Sequence, residues 1–446
     1  MADLPPPAAL TAPARGGTVG RIYANLGKLM GGKAIAGVIS LIYMIIAVRC
    51  LGAGGYGILV LVHTYTITVG GIIEFPGWHA VVRYGAQALA QGDEERLVRL
   101  LRFTTLVEMT SGIVAVVVAA ALAPWIGPHL GWSPAVVTLA IPYSLAVLAT
   151  IRSTPAGYLQ LAGRFDLLGV HNVVAPTVRL AGALIVWATG AGLIGFLIAW
   201  LVAALAEWAS MWGFGFMLAR RRIRQLRLIG PVRRARAENA GIVRFMLAAN
   251  ADITFSDLAQ RLASLCVGWI LGPAATGVYA VAQRATSVIA QPTGNLGQAT
   301  YAELARMIAA GGQGSEIRRA VIKTIAIAFA VAVPLVVIVV LFGGPLAQLL
   351  GGRPFVAAGA VMAWLVGARA ILLVAPPASA ALIALGRPGL SFFANLVTSL
   401  CLLPLLPLMM TRYGLVGAGL FAVLQAILTA SLLGGLLWRE SGKVPS

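Results

Sequence analysis

Long apolar runs separated by short polar connections fill almost the whole chain. A helix needs about 20 consecutive apolar residues to cross a bilayer, and many runs reach or approach that length. The pattern predicts an all-α polytopic membrane protein with about 12 transmembrane helices. The predicted helices cover residues 26–48, 56–86, 104–126, 134–160, 167–189, 192–218, 244–271, 275–304, 321–344, 355–385, 388–411 and 414–438. We expect the two long runs at 56–86 and 275–304 to be tilted, kinked or partly outside the membrane.

One predicted helix, 244–271, carries a stripe of polar residues. Its members recur at steps of four and three and therefore share one helical face: Asn250, Thr254, Asp257, Arg261 and Ser264. An ionised side chain at mid-membrane costs roughly 2.5–3.5 kcal/mol even on insertion scales, so the stripe must face other helices or water. An ion pair between Asp257 and Arg261 that joins two helices is one interpretation. A water-filled pathway is the other, and it accounts for the whole stripe.

Composition and charge support a membrane protein and argue against a nucleic-acid partner. The chain is 59% hydrophobic and 11% charged, with a mean hydropathy of +0.90, whereas soluble domains carry about 25% charged residues. The net charge of +19 is unevenly distributed. With a cytoplasmic N-terminus, the inner connections hold 20 Lys and Arg residues and the outer connections hold 3. This bias places both termini in the cytoplasm. Arginine far outnumbers lysine, and Ala and Gly are abundant, as is common in proteins from GC-rich bacterial genomes, so we expect a multi-pass protein of the bacterial inner membrane.

The chain also repeats itself about its midpoint. Three pairs of segments match at offsets of 220, 223 and 222 residues: LGAGGYG from Leu51 with LGPAATG from Leu271, GRFDLLGVHNVV from Gly163 with GRPGLSFFANLV from Gly386, and GLIG from Gly192 with GLVG from Gly414. Six predicted helices in each half begin on the same side, so the repeats are parallel. Parallel repeats predict two lobes with a substrate site between them at the midplane of the membrane.

The predicted domains follow from this duplication. They are a disordered cytoplasmic tail at 1–20, an N-terminal six-helix lobe at 21–218, a basic cytoplasmic linker at 219–243, a C-terminal six-helix lobe at 244–438, and a cytoplasmic tail at 439–446. The linker contains eight arginines between Arg220 and Arg236. We interpret them as a topology anchor on anionic lipid head groups.

The segment NLGKLMGGKAIAGVISLIYMIIAVRCLGAGGYG from Asn25, together with LGPAATGVYAVAQR from Leu271, resembles bacterial polysaccharide and O-antigen flippases of the Wzx kind. That family belongs to the superfamily of MATE exporters and lipid II flippases. The resemblance implies a MATE-like V-shaped pair of six-helix bundles that alternates between cytoplasm-open and periplasm-open states. It also implies a substrate, an undecaprenyl-pyrophosphate-linked oligosaccharide, whose head group enters a cationic cavity while the lipid tail stays among the membrane lipids.

The candidate site residues follow from the charges inside the predicted helices, where basic residues outnumber acidic ones. Guanidinium forks pair well with phosphate oxygens. The candidate substrate-binding residues of the cavity are Lys28, Lys33, Arg152, Arg179, Asn250, Arg261, Arg284, Gln291, Asn295 and Arg369. The candidates for ion coupling or an internal ion pair are Glu74, Asp252 and Asp257. Arg152, Arg179 and Arg369 can equally be members of structural ion pairs, and Glu74 can equally be a packed, hydrogen-bonded carboxyl group.

Three function classes compete at this point. The first is a flippase that serves O-antigen, capsule or exopolysaccharide synthesis, with a polysaccharide polymerase and other assembly enzymes as candidate partners. The second is a MATE-type cation-coupled exporter of small molecules, for which an acidic interior would be more natural. The third, a membrane enzyme, is disfavoured because no outer connection is long enough for a catalytic domain. We expect no cofactor and no metal, since the three cysteines lack metal-ligand spacing. Coupling to a proton gradient, a sodium gradient or the membrane potential stays open.

Overall fold

The computed structural model describes residues 18–75, 77–223, 232–309, 314–385 and 387–442, and these ranges are helical with short connections. The helices are α1 (Thr18–Ile73), α2 (Trp78–Ala90), α3 (Glu94–His129), α4 (Pro134–Tyr143), α5 (Ser153–Leu161), α6 (Phe165–Thr189), α7 (Gly192–Arg222), α8 (Arg233–Glu238), α9 (Ile242–Ala309), α10 (Gly314–Gly351), α11 (Ala358–Ile371), α12 (Ala375–Ala384), α13 (Pro388–Leu396), α14 (Leu405–Tyr413) and α15 (Leu415–Ser441). The all-α membrane fold is confirmed. Residues 1–17 and 443–446 of the predicted tails and 224–231 of the predicted linker lie outside the described residues.

Within the described ranges, nine helical segments are long and apolar enough to cross a membrane. Two of them are interrupted at a glycine. Gly52 in α1 has φ 64° and ψ −176°, and Gly272 in α9 has φ 84° and ψ 177°. A side chain is strongly disfavoured in this backbone region. Each glycine therefore divides a long helix into two arms, and the arms correspond to separate predicted helices. The number of twelve spans stays a prediction.

The long predicted run 56–86 is broken, as expected. Its first part belongs to the second arm of α1, which ends at Ile73, and its second part forms α2 from Trp78. The run 275–304 instead continues within α9 as far as Ala309. A different prediction was wrong in detail: residues 134–160 are not one continuous α-helix. They form α4, a 3-10 segment at Ser144–Thr150 and α5.

The chain folds into two compact units. Unit 1 comprises residues 1–46, 69–123 and 138–251, and unit 2 comprises 47–68, 124–137 and 252–446. Two short segments of the N-terminal half therefore pack with the C-terminal helices. The predicted lobe boundaries at 218 and 244 stay a prediction.

Unit 1 is built around α6 packed along α7, with α5 in contact with α2 and α7. Its buried side chains include Val81, Leu97, Tyr158, Leu168 and Met211. Burial among these helices allows α3 and α7 to carry a few polar groups inward, because neighbouring helices supply the partners that lipid cannot.

The end of the predicted linker belongs to unit 1 as well. The Arg96 guanidinium donates to the Asn239 side chain and to the Glu238 carbonyl, with distances of 3.0–3.3 Å. Arg99 forms an ion pair with the Glu238 carboxylate at 2.9 Å. Ile242 is buried in the same unit. The first turns of α9 are therefore fixed to the start of α3.

Unit 2 contains α10 through α15, with α11 packed against α10 and α15. Leu304, Ile317, Val321, Leu382 and Leu433 are buried in one cluster. The opposite side of α10 leaves large apolar side chains exposed, as expected of a surface in contact with lipid tails.

Residues at matched positions of the two halves of the sequence have similar backbone dihedral angles. Gly192 and Gly414, which precede or begin the last helix of each half, have φ values of 59° and 58°. Arg164 and Arg387 both cap a helix with non-helical dihedral angles. These pairs, together with Gly52 and Gly272, support the predicted duplication.

Candidate functional site

A break between two helices creates the main polar site of unit 1. The 3-10 segment ends at Thr150, and the non-helical residues Ile151 and Arg152 precede α5. The first N–H groups of a helix have no partner within it. Here the N–H groups of Ser153 and Thr154 donate to the two carboxylate oxygens of Glu108, the second at 2.8 Å. Glu108 has no exposed surface, so its negative charge lies directly at the positive end of α5.

Arg152 points to a second set of partners on α6 and α7. Its Nη1 group donates to Oε1 of Glu207 and lies 3.1 Å from Nε2 of His171. The Ser210 hydroxyl lies 2.9 Å from His171 Nδ1 and donates to the Glu207 carbonyl at 2.9 Å. The hydroxyl group of Ser210 has one hydrogen, which it donates to the backbone carbonyl of Glu207. The Ser210 oxygen therefore accepts from Nδ1–H of His171. The Nε2 atom is then free to accept from Arg152, which defines the tautomer of the histidine.

Glu74 completes this group from the end of α1. The Ser153 hydroxyl donates to Oε1 of Glu74 at 3.5 Å. We refer to Glu74, Glu108, Arg152, His171 and Glu207 as the unit 1 polar cluster. The cluster contains three carboxyl groups and one guanidinium, so it is acidic when all three carboxyl groups are ionised. Arg152 is thus a member of an ion pair with Glu207, which was one of the two interpretations of this residue.

A second arginine of unit 1 has aromatic surroundings. The guanidinium of Arg179 on α6 lies 4.6 Å from the ring centroid of Trp200 on α7 and 5.9 Å from that of Tyr43 on α1. Its Nη1 group also donates to the Tyr43 hydroxyl at 3.3 Å. Aromatic faces attract a cation without carrying a compensating negative charge. These contacts therefore position the guanidinium of Arg179 and leave its charge intact.

Unit 2 contains the other candidate arginines. Nη1 of Arg261 donates to the backbone carbonyl of Ile67 at 2.7 Å. One turn further along α9, the Ser264 hydroxyl donates to the Gln283 side chain at 3.3 Å. Arg284 and Arg369 are half-buried. The structure thus assigns Arg152 and Arg179 to unit 1 and Arg261, Arg284 and Arg369 to unit 2.

The remaining candidates stay predictions. Lys33 is exposed on α1. Several candidate side chains lie outside the described part of the structure, and with them the predicted pair of Asp257 and Arg261: Lys28, Asn250, Asp252, Asp257, Gln291 and Asn295.

The sequence analysis did not select Glu108, Glu207, His171 or Ser210 as site residues. A usable signal existed for Glu207 and Ser210, which lie three residues apart on one face of an apolar helix. Among the described residues, no group of three or more His, Cys, Asp or Glu side chains is arranged to hold a metal ion.

A family model described as "Polysaccharide biosynthesis protein" matches residues 80–358, which is more than half of the chain. The chain belongs to the polysaccharide biosynthesis protein family. The "Inner membrane protein YghQ" of Escherichia coli (strain K12) is similar to this family member, with 28% identity over 278 residues that cover 60% of this chain and 77% of YghQ.

Solved structures show the fold of the family member. An inward-facing multidrug resistance MATE family transporter of the MOP superfamily has a TM-score of 0.69 at 15% identity, covering 95% of this chain and 99% of its own. A MOP superfamily transporter from Pyrococcus furiosus, described by the reverse polarity of its binding pocket, has a TM-score of 0.58 at 16% identity, with 98% of both chains covered. The family member is therefore a multi-pass inner membrane protein with a MATE-like fold.

Proposed function

We propose that this protein is a flippase for an undecaprenyl-pyrophosphate-linked oligosaccharide. It moves the molecule from the cytoplasmic to the periplasmic leaflet for the synthesis of O-antigen, capsule or exopolysaccharide, by alternating access. The observation that carries the proposal is the match to the polysaccharide biosynthesis family over 80–358 in a chain with a transporter fold. The protein moves the substrate and does not change it chemically.

The arginines support a pyrophosphate-bearing substrate. A pyrophosphate presents several negatively charged oxygens, and a guanidinium binds such oxygens through two parallel hydrogen bonds. Arg179 contacts aromatic rings and Arg261 donates to a backbone carbonyl, and neither of these two contacts is with an acidic group. Arg284 and Arg369, half-buried in unit 2, are further candidates for the same role.

Energy coupling is part of the proposal and requires no cofactor. The unit 1 polar cluster has carboxyl groups that can take up a proton, and Glu74 at its edge is a coupling candidate already indicated by the sequence. A sodium gradient is a second source of energy. The membrane potential is the alternative source of energy. A polysaccharide polymerase and other assembly enzymes are the proposed partners, because they would receive the translocated oligosaccharide.

The test is the sidedness of the lipid-linked glycan in cells depleted of this protein. We expect the glycan to accumulate on the cytoplasmic leaflet and the wild-type protein to restore its transfer. Arg261→Ala and Arg284→Ala should restore it poorly, since each removes a candidate phosphate-binding charge. Arg412→Ala is the matched control, because this arginine is exposed at the end of α14. A glycan pool that is unchanged by depletion would contradict the proposal.

A cation-coupled exporter of small molecules is the second candidate. The observation in its favour is the unit 1 polar cluster, which contains three carboxyl groups and one guanidinium. An acidic site of this kind suits a cationic substrate better than an anionic one. Under this alternative, depletion would leave the glycan on its normal side and would make cells sensitive to cationic drugs, so the same depleted strain separates the two functions.

A further inference from the structure

The α3–α4 turn, which we define as residues 124–137, packs in a different unit from the helix segments on either side of it. The chain belongs to unit 1 up to Ala123 and again from Thr138, whereas the turn between these residues belongs to unit 2. The turn is therefore joined to unit 1 by the chain itself at both ends. It is joined to the rest of unit 2 by noncovalent contacts.

Aromatic rings form two of these noncovalent contacts. The His129 imidazole of the turn is stacked on the Trp269 indole of α9, with 4.7 Å between the ring centroids and 11° between the ring planes. The buried Trp132 ring of the turn meets the ring of Tyr65 on α1 edge to face, with 5.5 Å between the centroids. Ring pairs attract one another only at centroid distances of about 4.5–7 Å, so a small displacement of the turn is enough to break both contacts.

The surface that receives the turn is closely packed. A methyl group on Gly57 of α1 would overlap the carbonyl oxygen of Pro273 on α9, and one on Gly277 would overlap the carbonyl oxygen of Ala53. A methyl group on Gly131 of the turn would lie 3.0 Å from the ring of the same Pro273. The segments of α1 and α9 that carry the partner rings are thus in backbone contact with each other, and the turn lies against them.

The turn is held in shape by hydrogen bonds of its own. The Trp132 N–H donates to the Gly127 carbonyl at 3.0 Å. Gly131, with φ 73°, donates to the Pro128 carbonyl at 3.1 Å. Together these bonds form a Schellman motif, which ends a helix with one residue in the left-handed region. The Ser133 hydroxyl accepts an N–H group from the first turn of α4 at 3.4 Å. These bonds lie within the turn, so they can persist when it moves as a body.

The boundary between the two units falls at a proline of α3. Pro124 lies inside this helix and is the first residue assigned to unit 2. A proline has no N–H to donate to the carbonyl four residues earlier, here that of Ala120, and helices bend at such positions. α3 can therefore change direction at Pro124 with fewer broken hydrogen bonds than elsewhere along its length.

We propose that the α3–α4 turn detaches from α9 and α1 and reattaches during each transport cycle. It swings about Pro124, the ring contacts of His129 and Trp132 separate, and the hydrogen bonds inside the turn stay intact. The inference rests on the alternating access of the proposed function, and it does not depend on the identity of the substrate. It assigns a moving part to a connection that is too short to hold a catalytic domain.

The experiment measures the distance between the turn and α9 in the full-length protein in lipid nanodiscs. Ala135 in the turn and Ala274 on α9 are both exposed, so spin labels attached through Ala135→Cys and Ala274→Cys report this distance by pulsed electron resonance. The native thiols are removed by the substitutions Cys50→Ser, Cys266→Ser and Cys401→Ser. We expect a short and a longer distance, with the short one prevailing.

Two variants weaken the stacked pair from either side. His129→Ala and Trp269→Ala should each raise the ratio of the longer to the short distance by about two- to tenfold, the factor that corresponds to the loss of one aromatic pair. Trp125→Ala is the matched control, because Trp125 is an exposed ring one helical turn before His129 and is not part of the stacked pair. The inference is overturned if neither His129→Ala nor Trp269→Ala shows the longer distance.

A further variant acts on the bend in α3 and leaves the rings in place. Pro124→Ala supplies the missing N–H group, so it should stiffen the helix and lower the population with the longer distance. Pro345→Ala is its control, since Pro345 also lies inside a helix, but α10 belongs entirely to unit 2. Equal effects of the two substitutions would show that Pro124 is not the point about which the turn swings.

Cross-linking tests whether transport requires the movement. A short bifunctional thiol reagent that joins His129→Cys to Trp269→Cys should hold the turn on α9 and leave the lipid-linked glycan on the cytoplasmic leaflet. The control joins Trp125→Cys to His129→Cys within α3 and should permit transfer. Transfer that continues while the turn is joined to α9 would overturn the inference. If depletion of the protein leaves the glycan unchanged, the proposed function is wrong, and the distance measurement still decides whether the turn detaches.

Discussion

Glu108 shows how a single buried carboxyl group can maintain an interrupted helix. Both of its oxygens accept N–H groups at the start of α5, and the side chain has no exposed surface. A glutamine of the same size would present an NH2 group to one of those donors. A buried donor left without an acceptor costs about 1–3 kcal/mol.

We therefore expect Glu108→Gln to lower the thermal unfolding temperature of the purified protein in detergent. Glu95→Gln is the control: Glu95 is exposed, with 79% of its side-chain surface accessible, in its pair with Arg99, and exposed pairs contribute little. Equal unfolding temperatures for Glu108→Gln and the parent would show that the interrupted helix does not depend on this carboxylate.

At the residue scale, the sequence identifies which charges are buried but not which of them meet. Arg152 and Glu74 could be singled out because each interrupts an apolar run. The partner of Arg152 is Glu207, which is 55 residues away on another helix. Periodicity relates residues three or four positions apart, so it carries no information about pairs between helices that are distant in the sequence.

At the scale of helices, α1 is interrupted at Gly52 and α9 at Gly272. A substitution at one of these glycines tests whether the interruption depends on glycine. Gly272 has φ 84° with no atom near the position of an added methyl group, so a substitution there changes only the backbone strain. This region of backbone space costs a residue with a side chain about 1–3 kcal/mol.

We expect Gly272→Ala to lower the unfolding temperature. Gly367→Ala is the matched control. Gly367 also has free space around the added methyl group, but it lies in α11 with ordinary helical angles. Alanine there should stabilise the protein by about 0.5–1 kcal/mol. If Gly272→Ala and Gly367→Ala changed the unfolding temperature in the same direction, the backbone angle at Gly272 would not be the cause of the effect of Gly272→Ala.

The helices were largely predictable and their interruptions only partly so. Long apolar runs located the described membrane-spanning segments, and the repeated glycines of the LG motifs marked the breaks in α1 and α9. The break before α5 was missed because the run 134–160 was interpreted from its length and its largely apolar composition. Its signal was the sequence Arg152, Ser153, Thr154, Pro155, since a polar residue followed by proline within the first turn is typical of a helix start.

At the scale of the whole molecule, the compact units do not follow the order of the sequence. Residues 47–68 and 124–137 pack in unit 2 although they belong to the first half of the chain. The duplication and the family could be predicted from the sequence, because both are visible in short motifs such as LGAGGYG and LGPAATG. The assignment of segments to compact units could not, because it depends on contacts such as that of Gly57 with Gly277.

The predicted orientation of the molecule can be measured directly. The excess of Lys and Arg in the predicted inner connections places the C-terminus in the cytoplasm. Green fluorescent protein fused after Ser446 should then be fluorescent in a bacterial host, and alkaline phosphatase fused at the same position should be inactive. An active phosphatase fusion and a non-fluorescent green fluorescent protein fusion would show that the orientation is opposite to the predicted one. The proposed direction of transport would then be wrong as well.

Within unit 2, Gly57 meets the carbonyl of Pro273 in the same way as Gly277 meets the carbonyl of Ala53. Because a methyl group at either glycine would overlap a backbone oxygen, no change of a neighbouring side chain alone can make room for it. Evolution of the two segments is therefore linked at these positions: a larger residue at one glycine can be accepted only together with a shift of the helix that carries the other.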